Sequence, residues 1–211
     1  MANTNGDLIL RYPVGERIAH WAIAIAFIFL FLSGLAMFHP FFFWTSLLFG
    51  GGQFMRFIHP IAGVVLVILF YPYAAREWHN NRWLPVDAEW VRKLFAYMRK
   101  EDPPLDNHKY NGGQKLMFWS MVPLIALLFL TGVVTWQPLL APAFPPSLRR
   151  VAGLIHATAA FIMFVGIGIH WYAAYWTKGA VRAMVRGTVS RAWARFHHPA
   201  WYREVTGKER P

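Results

Sequence analysis

The sequence predicts an all-α integral membrane protein, with four transmembrane helices in a bundle and both termini in the cytoplasm. Three observations carry this reading. First, the 211 residues are 56% hydrophobic and only 15% charged, against about 45–50% and about 25% in a soluble domain. Second, the chain contains four long runs without Asp, Glu, Lys or Arg. Third, the basic residues are distributed with a strong bias between the segments that join those runs.

The runs cover residues 18–38, 57–75, 116–136 and 151–177. A bilayer core of about 30 Å needs roughly 20 helical residues, so each run is long enough to span. In lipid only helices and closed barrels satisfy their own backbone groups, and no run shows strand-like alternation. The first run is too long for the apolar region of a signal peptide and follows Asp7 and Glu16, so it reads as a retained span. Residues 40–55, PFFFWTSLLFGGGQFM, are apolar but short and broken by three glycines; they read as an interfacial helix rather than a fifth span. Residues 76–115 leave room for a surface helix around 87–100, stopped by Asp102–Pro103–Pro104. No internal repeat stands out. The chain reads as one membrane domain, 1–211, with 178–211 as a cytoplasmic tail.

The net charge of +11 would suit nucleic acid, but the positions of the charges point elsewhere. With both termini cytoplasmic, 18 of the 21 Lys and Arg fall inside and Arg56, Arg149 and Arg150 outside. That is the positive-inside rule, and the basic residues read as topology signals. A fifth span would put one cluster of eight outside. The absence of cysteine excludes thiolate zinc sites, iron–sulfur ligation and thiol catalysis on this chain.

Four of the nine histidines, His20, His59, His156 and His170, lie inside the apolar runs. An ionisable residue within a span points to function. Following the chain back and forth across the bilayer puts His20 and His170 in an inner layer and His59 and His156 in an outer one. His156 and His170 are 14 residues apart, which brings both to one face of a helix about 21 Å apart along its axis. Small residues share their register: Ala24, Gly63, Gly153, Ala160, Gly166 and Ala174 lie three or four positions from a histidine. Small residues also let helices pack closely, but that does not explain the shared register. Two flat cofactors held by paired imidazoles at two depths are the arrangement of a diheme cytochrome b. Closed axial positions suit electron transfer rather than oxygen chemistry. A zinc or copper site would need three or four ligands at one depth. The remaining histidines, in loops and tail, read as solvated or structural.

The stretches GERIAHW (15–21), RFIHPIAG (56–63), KYNGGQKLMFW (109–119), GVVTWQPLLAPAF (132–144), LIHATAA (154–160), IHWYAAYWTKG (169–179) and RFHHPAWYREV (195–205) together resemble the cytochrome b (gamma) subunit of respiratory formate dehydrogenases. The resemblance implies two heme b groups with His20, His59, His156 and His170 as axial iron ligands. It implies a quinone site at the inner heme, with Asn111, Gly113 and His170 near the ring and Gln114 as a lesser candidate. Asn111 can donate to a quinone carbonyl, and the Gly112–Gly113 backbone can let a ring approach; Asn-Gly-Gly also reads simply as a turn before a helix. The implied partners are an iron–sulfur beta subunit, a molybdenum- or tungsten-containing alpha subunit, quinone (menaquinone or ubiquinone) and the lipid of a bacterial inner membrane, in a trimer of heterotrimers. Formate oxidation would lie on another chain. The alternatives are the cytochrome b of a membrane hydrogenase and a heme-free membrane anchor; a transporter should carry broken helices or midplane acids, and the four runs hold no Asp or Glu.

Overall fold

The computed structural model describes residues 7–99 and 105–207. Four helices are long and apolar enough to cross a membrane: α1 (Val14–Phe38), α2 (Gly52–Glu77), α5 (Gly112–Thr135) and α6 (Pro146–Trp176). Each coincides with one predicted run, and all four begin about a turn or more before it. α2 takes in Arg56 and reaches Glu77, and α6 takes in Arg149 and Arg150. A run defined by the absence of charge stops at the first charged residue. The helix itself continues, because long basic side chains at its ends reach polar surroundings. α2 carries Pro60 and Pro72 and α5 carries Pro123, which membrane helices tolerate better than soluble ones.

Residues Pro40–Phe49 form a 3₁₀ helix. Pro40 opens it, and His39 Nδ1 accepts from the Phe41 N–H at 3.2 Å. Gly50 and Gly51 close it at φ 77° and 99°, a left-handed corner that favours glycine. Phe41, Trp44, Leu47 and Leu48 are exposed, as an interfacial helix requires. The expected surface helix around 87–100 is two: α3 (Pro85–Arg92) and α4 (Leu94–Arg99), parted at Lys93 where φ is −97° and ψ 11°. The Asp102–Pro103–Pro104 stop lies outside the described residues.

The chain divides into two compact units. One comprises residues 18–73 and 121–169. In it α1 meets α6 through a stack of Phe31 on Phe164 at 4.5 Å, and Tyr71 Oη on α2 donates to the Val122 carbonyl on α5 at 2.9 Å. The other comprises 1–17, 74–120 and 170–211. Here β1 (Leu8–Leu10) pairs antiparallel with β2 (Thr188–Ser190), Ile9 opposite Val189. Around this ribbon pack α7 (Ala180–Arg186), α8 (Arg191–His197) and α9 (Pro199–Thr206). Their core joins Tyr12, Tyr110, Ala183, Val189, Ala194 and Trp201. The sequence reading missed both strands, because three residues are too few to show alternation. All ten acidic residues and 18 of the 21 basic ones belong to this second unit.

Candidate functional site

His59 on α2 and His156 on α6 face each other in the apolar unit. Their ring centres are 6.4 Å apart and their planes are inclined at 64°. Each ring is held from a neighbouring helix. Ser33 Oγ on α1 lies 2.7 Å from His59 Nδ1, and Thr131 Oγ1 on α5 lies 3.0 Å from His156 Nδ1. Beside each hydroxyl stands a glycine. A Cβ built on Gly34 would be 3.5 Å from His59 Cε1, and one on Gly132 would be 3.5 Å from His156 Cε1.

This matched geometry exposes a repeat that the sequence reading did not find. FLSGLAMFHP (31–40) and FLTGVVTWQP (129–138) share an aromatic, a leucine, a hydroxyl residue, a glycine, a second aromatic and a proline in register. Ile-His recurs at 58–59 and 155–156, each followed by Ala three positions after the histidine. The α1–α2 and α5–α6 hairpins thus share a short motif. Ser33 and Thr131 are the contacts of these rings that sequence reasoning missed. The available signal was a hydroxyl-glycine pair inside each of two spans.

A second constellation gathers around the segment before α5, within the charged unit. Asn111 Oδ1 accepts from the Gln114 N–H at 3.0 Å, and Gln114 Oε1 accepts from the Asn111 N–H at 3.0 Å. This reciprocal pair is a capping box, with Asn111 as the N-cap of α5. The glycines between them are packed on α3. A Cβ on Gly112 would stand 2.6 Å from the Asp87 carbonyl oxygen, and one on Gly113 would stand 2.6 Å from the Trp90 ring. Close helix packing therefore explains both glycines without a ligand. Lys115, one turn on, is buried with Asp87: its Nζ donates to Asp87 Oδ2 at 2.7 Å and to the Arg82 carbonyl at 2.9 Å.

The preceding residues are clamped from three sides. Lys109 Nζ lies 3.2 Å from Glu16 and 3.1 Å from Glu77, and Tyr110 Oη donates to Glu77 at 2.9 Å. Buried Arg11 donates to the Lys109 carbonyl at 2.7 Å, and His198 Nδ1 donates to the His108 carbonyl at 2.7 Å. The Arg11 guanidinium also reaches His198 Nε2 at 3.0 Å and sits among the rings of Tyr12, Trp193 and Trp201 at 4.8–5.3 Å. Burial, reinforced by the Arg11 charge, pushes His198 well below the ordinary histidine pKa and lowers His197 in the same way. The tail motif RFHHPAWYREV, which has no place in the histidine pairs, is therefore part of this clamp.

Residues 11–187 match the model of the prokaryotic cytochrome b561 family. The chain belongs to that family. It is 41% identical over 199 residues to the formate dehydrogenase cytochrome b556(fdo) subunit of Escherichia coli strain K12, covering 94% of each chain. The nitrate-inducible cytochrome b556(Fdn) subunit from the same strain is 38% identical over 207 residues, covering 98% of this chain and 95% of the relative. The cytochrome b556 subunit of formate dehydrogenase from Haemophilus influenzae is 36% identical over 202 residues, covering 95% and 85%. This cytochrome is accordingly a multi-pass protein of the bacterial cytoplasmic membrane, and its family implies b-type heme.

The facing imidazoles fit that group. A metal–imidazole bond of about 2.0–2.1 Å, plus roughly 1.1 Å from ring nitrogen to ring centre, puts two collinear axial rings about 6.3 Å apart. The 6.4 Å between His59 and His156 matches. Space lies beside both helices, since a Cβ added to Gly63 or Gly153 would meet no atom within 4 Å. Among the described residues no three His, Asp or Glu side chains converge, so the donor set is a pair. His20 is half-buried on α1 in the apolar unit; His170 is half-buried on α6 in the charged unit, on the same unbroken helix as His156.

Proposed function

We propose that this cytochrome is the diheme b subunit of a membrane-bound formate dehydrogenase. On this reading it carries electrons from a periplasmic iron–sulfur beta subunit to a quinone reduced near the cytoplasmic side. Formate is oxidised on a molybdenum- or tungsten-containing alpha subunit, and the assembly is a trimer of heterotrimers. The names of the relatives support the formate assignment over a hydrogenase cytochrome.

His59 and His156 hold the outer heme, and His20 and His170 hold the inner one. Bound heme supplies a one-electron iron couple. The chain's part would be to hold that group between neutral imidazoles, in a unit without a carboxylate. Both termini and the charged unit face the cytoplasm, in line with the 18-to-3 partition of basic residues. Quinone, menaquinone or ubiquinone, binds by the inner heme, with His170 and the 111–114 segment around its ring. There Asn111 donates through Nδ2, since capping occupies Oδ1. Gly112 and Gly113 supply backbone, Gln114 is the lesser candidate, and protons for quinol come from the cytoplasmic side.

The observation that carries the reading is the 6.4 Å imidazole pair in an apolar unit that contains no carboxylate. A pyridine hemochrome assay on the purified complex tests it. Two noncovalent b hemes per chain are expected, with His59→Ala and His156→Ala each losing the same spectral component and His20→Ala losing the other. One heme per chain, or loss of a single component from all three variants, would overturn it.

A further inference from the structure

Ser33 and Thr131 enter neither the family resemblance nor the ligand set, yet each lies within hydrogen-bonding distance of Nδ1 of one of these rings from a neighbouring helix. The direction of that hydrogen bond follows from where each hydroxyl proton goes. Ser33 Oγ donates to the Phe29 carbonyl four residues back at 2.7 Å, and Thr131 Oγ1 donates to the Leu127 carbonyl four residues back at 2.6 Å. A hydroxyl has one proton and two lone pairs. With the proton committed to the helix carbonyl, the oxygen can only accept from the imidazole. On that assignment the ring proton sits on Nδ1, and Nε2 is left as a bare lone pair on both rings. That is the tautomer which can ligate iron. The opposite one, with the hydroxyl donating to Nδ1, would place a proton on Nε2 and block ligation.

We propose that Ser33 and Thr131 are positioning residues of the outer heme pocket: each fixes the ligating tautomer of its histidine and, by accepting Nδ1–H, makes the imidazole a stronger electron donor that lowers the outer heme's midpoint potential. The inference rests on the heme reading above. A hydroxyl that donates to a carbonyl is a better acceptor, because linked hydrogen bonds polarise one another. Hydrogen-bonded outer partners of this kind raise ligand basicity and orient the ring. A more basic ligand favours the ferric over the ferrous ion, so the potential falls. The repeat strengthens the assignment. The hydroxyl, its glycine and the histidine recur together in both hairpins. A hydroxyl needed only to bend or seal its own helix has no reason to recur with a ring on the next one.

The test is a potentiometric titration of the hemes in the purified complex, beside heme content. Ser33→Ala and Thr131→Ala are expected to keep two hemes and to shift only the outer component to higher potential, each tenfold change in the ferric-to-ferrous ratio being about 59 mV. Ser33→Thr and Thr131→Ser restore the hydroxyl and should restore the potential. Loss of the outer heme in an alanine variant with retention in its conservative swap also supports the assignment, since packing is perturbed in both and the hydroxyl lost in only one. Full heme content with unshifted potentials in both alanine variants would overturn it, as would equal shifts in the alanine and conservative variants. A wild-type complex lacking a His59-dependent heme component would instead sink the heme reading itself, before any hydroxyl variant is compared.

Discussion

Asn111 has two tasks, and two substitutions separate them. Its Oδ1 caps α5 by accepting the Gln114 N–H at 3.0 Å, and in the proposed quinone site its Nδ2 donates to a ring carbonyl. Asn111→Ala removes both. The lost cap costs about 0.5–2 kcal/mol of stability, and the lost donor about 0.5–1.5 kcal/mol of quinone binding. Asn111→Asp keeps an acceptor at the N-cap, where a negative charge is favoured by the helix dipole, and removes only the donor. The aspartate variant should therefore melt like the wild type, retain both hemes and reduce them with formate, while its KM for a quinone analogue rises about tenfold, the equivalent of about 1.4 kcal/mol. The alanine variant should show the same rise in KM together with a lower melting temperature. The assays are thermal unfolding, heme reduction by formate and steady-state quinone reduction on one preparation of each. A wild-type KM in Asn111→Asp would refute the donor role and leave Asn111 as a helix cap alone.

The packing around this segment makes further predictions. Lys115→Met leaves the buried Asp87 carboxylate without its cation, which should cost about 3–5 kcal/mol. Thermal unfolding checks this, and the double variant Lys115→Met, Asp87→Asn should recover part of the loss. Gly112→Ala forces a Cβ against the Asp87 backbone, whereas Gly113→Ala presses on the Trp90 side chain. Both should destabilise by about 1–3 kcal/mol, with Gly112 the worse because backbone yields less than a ring. His198 and His197 have lowered pKa values in the folded tail, so the undocked tail binds protons first as the medium acidifies. Docking is then complete above the ordinary histidine value of about 6.5 and weakens as pH falls below it. Hydrogen-exchange protection at residues 190–206, taken relative to the intrinsic rate at each pH, should fall below that pH, and His198→Gln should flatten the response; protection independent of pH would contradict the assignment.

The spans and the facing rings of His59 and His156 were legible because lipid makes a harsh demand. A run of about 20 uncharged residues has few other uses, and an ionisable ring inside it needs a reason. The interfacial segment was legible for the same cause, although its 3₁₀ geometry was not. Ser33 and Thr131 escaped because a hydroxyl in a span usually back-bonds to its own helix, and these two do that as well. Only the cross-helix distances reveal the second partner. Gly112 and Gly113 were legible as special, but not for the reason at hand. Sequence offers a turn or a ligand, while the structure supplies α3. The tail clamp and the β1–β2 ribbon join residues nearly 200 positions apart, such as Arg11 and His198, and no local periodicity encodes such a pairing.

The division of charge between the two units follows the chemistry proposed for each. The apolar unit holds Arg56, Arg149 and Arg150 and no carboxylate. Its described polar contacts are made by neutral groups: hydroxyls, imidazoles, a phenol and helix carbonyls. A charge at the bilayer centre is costly, and an electron carrier held by two neutral imidazoles needs none. Quinone reduction is different, because each quinol formed takes up two protons with its two electrons, and protons travel through titratable groups and water. Glu16, Glu77, Lys109 and Tyr110 lie in one connected set directly beside Asn111 in the chain. On the proposed function, electrons cross an apolar layer and are handed over where protons are taken up, and ionisable groups belong to the second task rather than the first. The partition of all ten acids into one unit fits that proposal.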